Sequence, residues 1–240
     1  MGTIDLAGAY NGAYNDTTGM ESASPSATGV LRTAIVASGA NFPDATAGSI
    51  IAYRDHFPVV LTDPSTLSTQ AMTTLQALGI QQAIVLGGPL AVSDGVVSSI
   101  QGLSISVIRI AGQDQTDTAQ EMANFELNQT GNFSGLGWGA VSGQWGRQIL
   151  LARGDFYADA LAGSVLGHLG AYPILLTENP SSLGQYLTSF LQNGGSALGI
   201  DGLNAVASSS GNIQTLQPLG GPLALEFSTL NAAVAAVGTG

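Results

Sequence analysis

Ala37-Ser38-Gly39-Ala40-Asn41-Phe42-Pro43-Asp44-Ala45-Thr46-Ala47-Gly48-Ser49 returns later in the chain as Ala152-Arg153-Gly154-Asp155-Phe156-Tyr157-Ala158-Asp159-Ala160-Leu161-Ala162-Gly163-Ser164. The alignment runs without a gap to Pro58-Val59-Val60-Leu61-Thr62 and Pro173-Ile174-Leu175-Leu176-Thr177, and ten of the 26 positions from Ala37 to Thr62 are identical. Farther on, Leu86-Gly87-Gly88-Pro89-Leu90-Ala91 and Leu219-Gly220-Gly221-Pro222-Leu223-Ala224 are the same six residues. An internal repeat of this kind sets the architecture. It predicts two modules of about 100 residues, a common domain size. It also sets a rule for chemistry: a site built by the repeat appears twice.

The first copy reads as alternating strands and helices. Thr33–Ala37, Pro58–Leu61, Ala83–Leu86 and Ile105–Ile110 are short apolar, β-branched runs, as expected of strands buried on both faces. Between them lie helical patterns at 43–54, opened by Pro43, at Leu67 to Leu78, closed by Gly79, and from a Ser93 cap to Gly102. Such alternation gives a parallel sheet flanked by helices. The expected class is α/β, with two tandem Rossmann-like modules. We divide the chain into an N-terminal strand and helix segment (1–31), module one (32–112), a linker helix with a Gly-rich loop (113–147) and module two (148–240).

Module two carries about 17 extra residues before its Gly-Gly-Pro. Two registers compete there. Either the strand before Gly220 is the third, or Ala197–Ile200 is the third and residues 215–219 the fourth. Six consecutive identities favour the first. In that register the fourth strand is missing from the end of the chain. Thr3-Ile4-Asp5-Leu6-Ala7-Gly8 resembles Val107-Ile108-Arg109-Ile110-Ala111-Gly112, so Thr3, Ile4, Asp5 and Leu6 are expected to complete a sheet, in this chain or in a neighbour.

Composition narrows function. Apolar residues make up 45% and charged residues only 9%, so the surface must be built from Ser, Thr, Asn and Gln. That suits an exported, carbohydrate-facing or self-assembling protein. Five arginines stand against 16 acidic residues, for a net charge of −11, and there is no lysine. No basic stripe exists for nucleic acid, and an anionic membrane surface is disfavoured. Without Cys there is no disulfide, thiol nucleophile or thiolate metal site. No apolar run reaches the roughly 20 residues of a membrane span. The start lacks a signal-peptide pattern, and we expect an extracellular chain whose leader has been removed.

These segments together resemble the cell wall binding type 2 repeat of bacterial surface proteins. The matching residues are Ser38-Gly39 with Asn41 to Ala45, Pro58–Thr62 and Pro173–Thr177, Leu86 to Pro89 with Val92-Ser93-Asp94, and Arg109 to Gly112. The resemblance implies Rossmann-like modules, often three around a pseudo-threefold axis. It also implies a non-catalytic role and attachment to an anionic wall polymer where modules meet. It assigns ligand contact to Pro173, Ile174, Leu175, Leu176 and Thr177, with Pro58–Leu61 the variant in module one. This chain has two modules, and module two replaces Asn-Phe-Pro-Asp with Phe156-Tyr157-Ala158-Asp159.

Ligands of open parallel sheets bind beyond the carboxyl ends of the strands. Candidates there are Ser38, Asn41, Asp44, Thr62, Gly87 and Gly88 in module one, and Arg153, Asp159, Thr177, Gly220 and Gly221 in module two. Arg109 and Arg153 are the cations that would offset a polyanion. Asp44 and Asp159 have an ordinary alternative role, accepting backbone N–H groups at helix starts. The glycines have one too, close packing of strand on helix. His56 and His168 fall at different places in the two copies, and no hydrolase elbow or nucleotide loop exists. Trp138 and Trp145 could stack on sugars or anchor the Gly-rich loop. We therefore expect no cofactor, no metal and no catalysis. The expected partner is a cell-wall polymer or further copies of the chain as a surface-layer or filament subunit. A nucleotide-binding enzyme is the remote alternative.

Overall fold

The computed structural model describes residues 32–54, 57–128, 147–169, 172–195 and 213–237. Module one holds β1 (Thr33–Ser38), α1 (Pro43–Ala47), α2 (Ser49–Arg54), β2 (Val59–Thr62), α3 (Thr69–Ala77), β3 (Gln82–Leu86), α4 (Asp94–Gly102) and β4 (Ser106–Ile110). Its strands are parallel in the order β2-β1-β3-β4. All residues of β1 and β3 are buried, so the runs Ala34–Ala37 and Ala83–Leu86 pack on both sheet faces. Helices α3 and α4 lay Ala71 with Leu75, and Val96 with Ile100, on one of them. Each is started by a serine: Ser68 Oγ accepts from Ala71 N–H and Ser93 Oγ from Val96 N–H.

After the linker helix α5 (Gln115–Asn128), module two holds β5 (Arg147–Arg153), α6 (Ala158–Gly163), a 3-10 segment (Ser164–Leu169), β6 (Ile174–Thr177), α7 (Gln185–Gly195), β7 (Ile213–Pro218) and α8 (Phe227–Val237). Its parallel sheet runs β6-β5-β7. β7 pairs with β5 as β3 pairs with β1, so the strand before Gly220 is the third strand of its module. The competing strand at Ala197–Ile200 lies outside the described residues. So do Thr3, Ile4, Asp5 and Leu6. Among the described residues this second sheet has three strands.

Two expectations change. The pattern at 43–54 is two short helices, not one, because α1 ends at Gly48. A Cβ at Gly48 would enter Leu86 of β3, so the chain passes close to the sheet at the junction of the two helices. The linker helix is also more than a linker. α5 packs on β6 and α7 of module two and on α1 of module one. Met122, Ala123 and Phe125 of α5 belong to one buried cluster with Ile35 and Leu86 of module one and Ile149, Leu150 and Leu175 of module two. Burying each such large side chain contributes about 1.5–3 kcal/mol, and this shared cluster joins the modules.

Candidate functional site

The carboxyl ends of the strands are built the same way twice. Gly39 N–H bonds to Thr62 O, and Gly154 N–H to Thr177 O, each at 2.8 Å. Thr62 and Thr177 are buried, and their hydroxyls shape the next loop. Thr62 Oγ1 donates to Thr66 O and accepts from Ser68 N–H, and Thr177 Oγ1 donates to Asn179 O. Ser38 is buried and accepts from Ala40 N–H. Asn41 beside it is exposed.

The second repeated feature joins the two identical segments. Gly87 and Gly220 have φ of +95° and +91°, where an L side chain is strained. A Cβ there would also run into the carboxylate of Asp44 or of Asp159. The acid of the first signature is thus seated on the glycine of the second, in both modules. Burial pushes the Asp44 carboxyl above its ordinary range, and the Thr118 hydroxyl at the start of α5 partly offsets this. Thr118 in turn accepts from Gly112 N–H. Just beyond, Leu90 and Leu223 project into solvent, 99% and 92% exposed.

Both arginines expected to meet a polyanion already have acidic partners. Arg109 Nη1 donates to Gly87 O at 3.1 Å, and Nη2 lies 3.2 Å from Asp94 Oδ1, an ion pair by distance without hydrogen-bond alignment. Arg153 holds Asp155 with two bonds, Nε at 2.6 Å and Nη2 at 2.7 Å. That pairing draws the Asp155 carboxyl below its usual range. The Arg153 guanidinium lies 5.7 Å from the Phe156 ring centre, Phe156 lies 5.1 Å from Tyr157, and Tyr157 lies 5.3 Å from Phe42. This aromatic row crosses from module two to module one, and Phe156 and Tyr157 are each about half exposed. Sequence reading missed it, although Phe42 and Tyr157 occupy the same repeat position.

Pro173, Ile174, Leu175, Leu176 and Thr177 are all buried. The module-one counterparts Val59 and Leu61 are exposed along β2. Asp114, in the loop before α5, accepts from the N–H groups of Thr116 and Asp117 and so starts that helix. Among the described residues no three His, Asp or Glu are gathered to hold a metal ion, and no helix is long and apolar enough to cross a membrane. His56, Trp138 and Trp145, and the side chain of His168, lie outside the described residues.

Comparison with known proteins agrees with the repeat. The description "cell wall binding domain 2 (CWB2)" matches residues 10–97 and 109–211. The N-acetylmuramoyl-L-alanine amidase LytC of Bacillus subtilis (strain 168) is 31% identical over 163 residues, which is 68% of this chain and 29% of that protein. Among solved structures, Cwp6 from Clostridium difficile aligns with a TM-score of 0.63 at 20% identity, over 86% of this chain and 28% of that one. Cwp8 from the same organism gives 0.59 at 18%, over 88% and 30%. This chain therefore spans less than a third of each relative, and the two structures support the fold alone. With two repeats matched over most of its length, the chain belongs to the cell wall binding domain 2 family.

Proposed function

We propose that this chain is a non-catalytic, extracellular wall-binding unit that holds a cell-wall polymer. The observation carrying this reading is the pair of family matches, one on each repeat. The similarity to an amidase does not extend the reading to hydrolysis, because this chain covers 29% of that enzyme.

The ligand contacts are assigned to what the repeat leaves open at the carboxyl ends of the strands: Asn41, Gly88 of the first glycine loop, Gly220-Gly221 of the second, and the ring faces of Phe156 and Tyr157. Arg109 and Arg153 are spoken for by Asp94 and Asp155. Recognition then rests on hydroxyls, backbone amides and stacking, with charge secondary. Purified chain should sediment with isolated bacterial wall and stay bound between 50 and 300 mM salt, a range over which exposed charge pairs are strongly screened. Failure to bind any wall preparation would overturn the reading. Loss of binding at the higher salt would overturn the charge-poor version of it.

A second reading is a self-assembling surface or filament subunit. It is favoured by the low surface charge and by apolar side chains left exposed at both ends of the repeat array.

A further inference from the structure

One charge pattern runs through the loops at the carboxyl ends of the strands. Each of the seven described strands is followed, in the next loop or first helical turn, by an acid: Asp44, Asp63, Asp94, Asp114, Asp155, Glu178 and Glu226 in chain order. The two arginines described at these ends, Arg109 and Arg153, are each paired with one of those acids. A backbone contact repeats the arrangement at one corner of each module. Ser93 N–H donates to Pro64 O at 2.8 Å, and Glu226 N–H donates to Pro180 O at 2.9 Å. These bonds tie the loop after the edge strand, β2 or β6, to the turn after the third strand, β3 or β7. Exposed acids therefore stand in adjoining loops twice, Asp63 with Asp94 and Glu178 with Glu226.

Helix N-termini and basic side chains are what hold an anion at this end of a parallel sheet. Here the chain's own acceptors fill them. Ser68 takes the N–H of Ala71, Ser93 that of Val96, and Asp114 those of Thr116 and Asp117. Helices α1 and α6 carry Asp44 and Asp159 in their first turns, where an acid answers the helix dipole. What is left on the surface is negative charge without a counter-charge. Among the described residues, Asp63, Glu178 and Glu226 accept from serine hydroxyls, and the ion pairs involve other acids. A polymer with a phosphate or carboxylate on each unit would meet like charge in contact, well inside the roughly 8 Å over which salt screens. An uncharged, hydroxylated polymer would meet hydrogen-bond acceptors instead. Like charge placed without a partner is one way a surface rejects one class of ligand and accepts another.

We propose that the polymer held at these loops is an uncharged polysaccharide, and that Asp63, Glu178 and Glu226 exclude polymers bearing phosphate or carboxylate. The inference rests on the wall-binding reading and names its class of polymer. It departs from the anionic partner that the family resemblance implies. Sugar hydroxyls donate to the carboxylates, and Leu90 and Leu223, in the same turns that follow β3 and β7, offer apolar surface to the C–H face of a sugar ring.

The test is displacement of the full chain from a bacterial wall that retains it. Cold aqueous hydrofluoric acid cleaves phosphodiesters, releasing wall polysaccharides and breaking down phosphate-linked polymers. Anion exchange then divides the released material into an unretained, neutral fraction and a retained, anionic one. The neutral fraction should displace the chain, and the anionic fraction and sodium polygalacturonate should each need at least tenfold more mass to do so. In Glu178→Lys with Glu226→Lys, polygalacturonate should compete at least tenfold better than against wild type, while the neutral fraction competes within twofold as before. Glu178→Gln with Glu226→Gln should shift polygalacturonate in the same direction by less, and it serves if the lysine pair lowers the melting temperature. If wild type sediments with no wall, the wall-binding reading fails and this inference with it. If wild type sediments and the anionic fraction competes better, or neither fraction competes, wall binding stands and the uncharged class is overturned. If neither double variant becomes more sensitive to polygalacturonate, these acids do not set the class, which overturns the proposal as well.

Discussion

Modules one and two are alike at the carboxyl ends of their strands and unlike at their flanks. The Asp-on-Gly seat occurs at Asp44–Gly87 and again at Asp159–Gly220, and the exposed leucine beyond it occurs at Leu90 and again at Leu223. By contrast, Leu61 is exposed where Leu176 is buried, and Ile50 is buried where Val165 is exposed. Features kept in both copies belong to the module as a unit. Features that differ report what each copy packs against. The same logic separates a candidate ligand surface, which should recur, from a surface buried where the modules pack, which need not.

The harshest break of this comparison is at the turn. Gly87→Ala and Gly220→Ala each force a Cβ onto a left-handed backbone and into an aspartate. Each should cost about 3 kcal/mol or more, combining backbone strain with overpacking. Urea unfolding should place the two losses within about 1 kcal/mol of each other. A large loss at one glycine and none at the other would show that the shared geometry does not carry shared energetics.

Next comes a pair that should differ. Leu176→Ala removes a fully buried side chain of β6 and should cost about 3 kcal/mol, within the usual range for core leucine truncation. Leu61→Ala at the equivalent position should cost under about 1 kcal/mol, because that side chain is half in solvent. Equal losses in the isolated monomer would mean that β2 is covered within its own chain.

These differences mark where sequence stops being informative. The strands were readable because a strand buried on both faces must be an unbroken apolar run, and Thr33–Ala37 or Ala83–Leu86 admit little else. Ser93 was readable as a cap because it stands just ahead of the apolar helical pattern of Val96, Val97 and Ile100. The nearness of Gly48 to Leu86 was not, since it joins residues far apart in the chain that only the folded sheet brings together. The partners of the arginines divide the same way. Asp155 stands two residues from Arg153, beyond the end of a strand, and that local signal was present. Asp94 reaches Arg109 only because β3 and β4 lie side by side. Burial of Pro173 through Thr177 follows from α5 folding back on β6, and no local pattern reports that.

A smaller effect tests the module-one seat by pH. Burial raises the Asp44 pKa from its ordinary 3.8. Between 3.8 and the folded value, the folded chain binds more protons at this site than the unfolded chain, so stability falls as pH rises through that window. Burial, with the Asp117 charge, raises Glu121 too and adds a slope of the same sign. Asp155 acts oppositely: its contribution is present above 3.8 and is lost as pH falls through its lowered folded value. Subtracting curves isolates Asp44. Asp44→Asn keeps an acceptor for the Thr118 hydroxyl and removes the titrating charge. Its melting temperature should fall less than that of wild type as pH rises from 3.8, and be no lower at pH 7. Parallel curves would assign the pH dependence elsewhere.

The smallest stability effect is expected at the two leucines that the repeat leaves in solvent. Leu90 and Leu223 are 99% and 92% exposed, so Leu90→Ser and Leu223→Ser remove almost no buried surface. Each should change unfolding free energy by less than about 0.5 kcal/mol. Both stand beside the Gly-Gly-Pro loops, at the carboxyl ends where ligands of parallel sheets bind. Wall sedimentation is therefore the informative readout. Weaker retention of both single variants, and further loss in the double variant, would place the polymer at a site each module builds for itself. Full retention of the double variant would move the ligand away from these loops, toward the aromatic row at Phe156 and Tyr157, which occurs once among the described residues.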